Sequence, residues 1–139
     1  MKNEFWVLLP VKDLKRSKKF YMELGFLLNE VQGNPDNMVS LLVGKKDTLL
    51  NLFKENEFKR ICGNETSDAK ISTEVLFNIS AQSNEEVNDF AEKVKKAGGK
   101  IFRKPGLTEG WMYSFGFVDL DGHRWAKVFM DFSKMPKQS

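Results

Sequence analysis

The sequence predicts an α+β fold in which one β-α-β-β-β module occurs twice. Three observations predict it. Aromatic and aliphatic runs flank Asp119-Leu-Asp-Gly-His123, which is how a β-hairpin reads, with Asp-Gly supplying the positive φ a tight turn needs. Val87, Phe90, Ala91, Val94 and Ala97 recur at helical spacing behind Ser83-Asn-Glu-Glu86, a capping box. The order strand, helix, three strands fits residues 1–54 and again residues 71–132, while the intervening stretch 55–70 is polar and nearly strandless. We read 55–70 as a linker and 133–139 as a tail.

Taken in order, Phe5-Trp-Val-Leu-Leu-Pro-Val11 is a continuous apolar run, expected as a strand buried on both faces. Asp13 suits the N-cap of a helix running to about Leu24, with Leu14, Phe20, Tyr21 and Leu24 facing inward and Gly25 as its stop. Phe26 to Val31 reads as a strand and Gln32-Gly-Asn-Pro-Asp-Asn37 as a turn. Met38–Val43 and Thr48–Lys54 complete the first module, joined through Gly44-Lys-Lys-Asp47.

In the second module, Glu74 to Ser80 is the opening strand, and Gly98-Gly99 ends the amphipathic helix. Lys100 to Lys104 is a strand and Pro105 to Gly110 a loop. Two strands then form the closing hairpin. In the last of them Arg124, Ala126 and Val128 share one face, and Trp125, Lys127 and Phe129 share the other.

A chain of 139 residues with 41% hydrophobic and 12% aromatic content can bury a real core. The net charge of +3 has its signs interspersed, which argues for no nucleic-acid partner. Lys12, Lys15, Arg16, Lys18 and Lys19 make the first helix basic, and a solvated face explains them. One cysteine, Cys62, allows no intrachain disulfide. No apolar run approaches the roughly 20 residues of a membrane span, and the N-terminus lacks a signal pattern. The expectation is a cytoplasmic protein with no membrane partner.

Leu9-Pro-Val-Lys-Asp-Leu-x-x-Ser-x-x-Phe-Tyr-x-x-Leu-Gly-Phe26, Ala97-Gly-Gly99 and Phe117-x-Asp-x-Asp-Gly-His-x-Trp125 follow one another in that order and span essentially the whole chain. Together they resemble the vicinal oxygen chelate superfamily of glyoxalases, bleomycin- and fosfomycin-resistance proteins and extradiol dioxygenases. Phe5-Trp6 before Leu9-Pro-Val-Lys-Asp13 is similar to a glyoxalase-like subgroup described as predicted lactoylglutathione lyases. The resemblance implies that the modules form a curved, mixed-sheet cleft with the helices outside. It also implies a homodimer and a small-molecule ligand.

Metalloenzymes of this family take one ligand from each of four strands to hold a divalent ion that polarises a chelating oxygen substrate. Carried onto this chain, the four positions fall on Trp6, Asn51, Glu74 and Ala126. Indole and methyl groups bind no metal, and two weak oxygen ligands do not hold a transition ion. The expectation is therefore no metal and no other cofactor. The same alternation brings Leu8, Phe53 and Leu76 into the cleft, with Tyr113 and Phe115 as further lining. Asn51, Glu74, Asn78 and the Tyr113 hydroxyl are its expected polar points, a composition suited to an amphipathic or aromatic ligand. Glu74 in an apolar cleft would have its pKa raised, and Glu74 and Tyr113 are the candidate acid–base pair.

Other candidates carry less. His123 sits at a hairpin turn, where a structural or exposed role is the simpler explanation. Asp119 and Asp121 are expected to bond their own backbone, and Cys62 to be an inert thiol. Three functions fit these residues: a metal-independent small-molecule binding protein, a glyoxalase-like lyase or related metal-dependent enzyme, and a non-catalytic interaction protein whose cleft is filled by its own side chains, Trp6 first.

Overall fold

The computed structural model describes residues 3–30 and 36–137. The chain divides into two compact units, Met1–Asp68 and Ala69–Ser139. In the first, β1 (Trp6–Val11), α1 (Leu14–Glu23), β2 (Leu27–Leu28), β3 (Met38–Val43) and β4 (Thr48–Lys54) are followed by α2 (Glu55–Cys62). In the second, β5 (Leu76–Ala81), α3 (Asn84–Ala97), β6 (Lys100–Thr108), β7 (Met112–Val118) and β8 (Arg124–Met130) precede a short 3-10 turn at Phe132–Lys134. Each unit holds one mixed sheet, ordered β1-β4-β3-β2 and β5-β8-β7-β6, with its first strand parallel to its last. The doubled β-α-β-β-β order is thus a doubled topology.

The helices begin where capping chemistry says they should. Asp13 Oδ1 accepts from Arg16 N at 3.1 Å, and Ser83 Oγ accepts from Glu86 N at 3.1 Å. Glu86 reaches back to the backbone of Gln82, one residue before the cap. Both helices stop at a glycine in the left-handed region, Gly25 at φ +96° and Gly98 at φ +97°.

In the first unit one sheet face packs under α1. Leu9, Val11, Val39, Leu41, Leu50 and Leu52 alternate onto that face and are buried with Phe20, Tyr21 and Leu24. The first strand is therefore buried on one face only, since Trp6, Leu8 and Pro10 point the other way and keep partial exposure. In the second unit the helix-bearing face is an aromatic layer. Phe77, Trp125, Phe117 and Phe115 lie in succession, each ring within 6.1 Å of the next, and Phe90 of α3 packs on the last two.

Four elements differ from expectation. The second strand is only Leu27–Leu28; Val31, at its expected end, and the turn's first residues lie outside the described residues. The stretch read as a linker opens with α2, whose acidic first turn (Glu55, Glu57) and basic last turn (Lys59, Arg60) match the helix dipole. The fifth strand starts at Leu76, two residues late. The sixth runs on through Pro105 to Thr108, because irregularities after Ile101 and Arg103 absorb the proline while keeping the pairing to β7.

Candidate functional site

Each sheet turns one face to its own helix, α1 or α3, and the candidate residues are placed by which of its two faces they occupy. Strand register decides which side chains stand there. In the first unit Leu8 pairs with Asn51, and Asn51 with Ser40. Trp6, Leu8, Met38, Leu42, Leu49 and Phe53 surround them on the far face. That face is apolar around one polar ladder. Asn29 Nδ2 donates to Ser40 Oγ at 3.2 Å, and Ser40 Oγ donates to Asn51 Oδ1 at 2.6 Å. Ser40 is buried to 2% exposure, so its hydroxyl needs both partners. The ladder leaves the Asn51 amide nitrogen as the available donor. Trp6 stays 50% exposed at the edge of the group.

The second unit repeats the geometry with different chemistry. Asn78 pairs with Ala126, and Ala126 with Gly116. Counting back from the two N-caps, Asp13 and Ser83, makes Trp6 equivalent to Leu76 and Leu8 equivalent to Asn78. The pairings then make Asn51 equivalent to Ala126 and Ser40 equivalent to Gly116. Where the first unit has its polar ladder, the second has Gly116 beneath the ring of Phe102, with Arg103 bonded to Ser114.

This register corrects three expectations. Glu74 lies before β5, exposed, and lacks the burial on which its assigned role depended; the position equivalent to Trp6 is Leu76. Phe115 faces α3 with 0% exposure, packed on Phe90 and Phe117. Tyr113 lies on that same helix-bearing face, its hydroxyl donating to Asn88 Oδ1 at 2.7 Å. Their aromatic character suggested cleft lining, but β7 pairs Phe115 with Lys127 and Gly116 with Ala126, so they stand on the opposite face from Ala126. Leu76 and Asn78 are exposed on the far face, whereas Ala126 shares that face at 1% exposure.

Asp119 behaves as the sequence suggests. Its carboxylate accepts from Asp121 N at 3.0 Å and His123 N at 2.8 Å, holding the hairpin turn. His123 is partly buried in that turn, and Cys62 is exposed at the end of α2. Lys127 is a buried cation of the second unit. Its ammonium stands 4.7 Å over the Phe90 ring and 3.9 Å from Glu86. Burial lowers its pKa, Glu86 opposes that shift and Lys93 adds to it.

The family model for the Glyoxalase/Bleomycin resistance protein/Dioxygenase superfamily matches residues 5–126. The chain belongs to this superfamily. A hypothetical protein from S. aureus is 32% identical, with a TM-score of 0.81 over 93% of this chain and 94% of that one. A glyoxalase-related enzyme from Fulvimarina pelagi shares the fold at 21% identity, with a TM-score of 0.77 over 92% and 88% of the two chains. The fosfomycin resistance protein FosX from Listeria monocytogenes, complexed with Mn(II) and sulfate, shares it at 17% identity, with a TM-score of 0.68 over 94% and 91%. No curated protein matches the sequence.

Superfamily membership raises the question of a metal. In this glyoxalase-superfamily chain the first unit carries Trp6 and Asn51, an indole and an amide, where the second carries their equivalents Leu76 and Ala126, both apolar. No group of three or more His, Cys, Asp or Glu converges among the described residues. These residues do not fit a divalent ion. No helix among the described residues is long and apolar enough to cross a membrane.

Proposed function

We propose that this protein binds a small amphipathic or aromatic molecule against its far sheet faces, without the metal of the superfamily's enzymes. What supports the reading is the set of side chains onto which the resemblance carries the family's metal ligands, Trp6, Asn51 and Ala126, with Leu76 taking the place of Glu74 when strand register is counted. What stands around them in the first unit suits an organic ligand instead. The indole of Trp6 and the side chains of Leu8 and Phe53 supply stacking and apolar surface, and Asn51 supplies a hydrogen-bond donor held in place by Ser40. Half of Trp6 remains exposed, which supports a face that receives a ligand over one filled by its own side chains. A cytoplasmic homodimer is part of the same proposal and rests on the superfamily resemblance.

The test is metal content of protein purified without chelator, with melting temperature measured on adding Ni²⁺, Zn²⁺, Mn²⁺ or Fe²⁺. No bound metal and no shift, together with stabilisation by members of an aromatic compound library that Trp6→Ala abolishes, is the expected result. Stoichiometric metal with lyase activity on a hemithioacetal would sink the reading.

A further inference from the structure

We infer that the far face of the second unit carries a site for an organic oxyanion, built on Arg103 and Arg124. The inference deepens the proposed small-molecule binding by giving the ligand a charge. Its basis is a local construction at the irregular β6–β7 pairing. Between Ile101 and Arg103 the β6–β7 register shifts, so that Arg103, and not Phe102, pairs with Gly116. The shift brings Phe102 and Arg103 to the same face. Gly116 has no side chain, and the Phe102 ring lies where one would stand: a Cβ there would be 2.7 Å from Cε1 and Cε2. Arg124 also stands over that ring, with its Cζ 4.6 Å from the ring centroid. Arg103 is held by a hydroxyl, with Nη1 donating to Ser114 Oγ at 2.7 Å, and Ser114 is 4% exposed.

Both guanidiniums are thus positioned by neutral groups, a ring and a hydroxyl. Among the described residues no carboxylate forms an ion pair with either of them. Each partner occupies only part of its arginine. The contact with the ring takes up none of the N–H donors of Arg124 in a hydrogen bond, and the Ser114 bond uses one of the five donors of Arg103. Forks of this kind donate to carboxylate or phosphonate oxygens two at a time. Holding the arginines in place beforehand lowers the entropy lost when an anion arrives. The chemical class assigned is a small organic acid, carboxylate or phosphonate, and neutral isosteres should not satisfy the site.

The experiment compares benzoate, phenylphosphonate and neutral benzamide by NMR titration of the full chain, following the arginine Nε–H signals and the backbone amides. The expected result is that both acids bind more tightly than benzamide and shift the Arg103 and Arg124 Nε–H signals. In R103Q/R124Q the affinity for the acids should drop about tenfold or more while benzamide is unaffected. The single variants R103K and R124K, which keep the charge and lose the fork, should fall between, and they show whether the double variant merely unfolds. Benzamide binding as well as the acids overturns the oxyanion site and leaves small-molecule binding standing. Acids that bind without moving the arginine signals also overturn it. No binding by any of the three overturns both readings.

Discussion

The ring of Phe102 fills the space that a side chain at Gly116 would occupy. The two residues sit on neighbouring strands, and the irregular β6–β7 register makes their close approach possible. A methyl at Gly116 therefore has nowhere to go unless the ring leaves, and the ring is also the surface on which Arg124 rests. Gly116→Ala should destabilise the protein by about 1–3 kcal/mol through overpacking. In a Phe102→Ala background the same substitution should cost far less, because the clash has been removed beforehand. Urea denaturation of the four proteins in the cycle measures that coupling. Additive effects would mean that the ring does not stand where the structure places it.

Lys127 makes a prediction about pH. Its pKa is lowered, first by burial, so the folded state holds this proton less tightly than the unfolded chain does. The unfolded state then binds more protons between the two pKa values, and stability rises with pH through that window. Below the folded value the cost of a buried ammonium is fully present. Lys127→Met should be neutral to about 1 kcal/mol more stable at pH 7, since Glu86 is 44% exposed and is not stranded by the loss. The advantage should shrink as pH rises from 7 toward 10, which denaturation midpoints at several pH values would reveal. A gap that widens with pH contradicts the assignment.

Asp119 holds two backbone N–H groups of a partly buried turn. Asp119→Ala should cost about 1–3 kcal/mol, because both donors lose their acceptor. Asp119→Asn keeps an oxygen at the same place and should recover much of that loss. Equal losses in the two variants would show that charge matters more than the turn bonds.

Tyr113 and Phe115 separate stability from binding. Tyr113→Phe removes one hydrogen bond to Asn88 and should cost about 1 kcal/mol or less. Phe115→Ala opens the aromatic layer under α3 and should cost about 3–5 kcal/mol. Neither Tyr113→Phe nor a conservative Phe115→Leu should weaken a ligand that Trp6→Ala abolishes. Loss of affinity in either would return these residues to the site.

Much of this architecture is decided by the sequence itself. Asp13 and Ser83 cap helices because their side chains reach backbone N–H groups three residues on, within one turn of chain. Asp119 shapes its hairpin for the same reason, with both partners inside the turn. The doubled module follows from such local signals placed in the same order twice, and so does membership of the superfamily.

What only the tertiary structure decided is which residues meet across strands. A period-two pattern says that neighbours alternate, yet which face an aromatic run presents depends on the partner strand, and a slip of one residue exchanges the faces. Phe115 and Tyr113 stand on the helix-bearing face for that reason, and the position equivalent to Trp6 is Leu76, two residues beyond Glu74. Asn29, Ser40 and Asn51 belong to three different segments, and each looks ordinary in its own run. Phe102 and Arg103 share a face only because the β6–β7 register shifts there, and Gly116 lets the ring lie flat. These are contacts between segments, set by strand pairing and the space left by a missing side chain, and no local pattern in the chain encodes them.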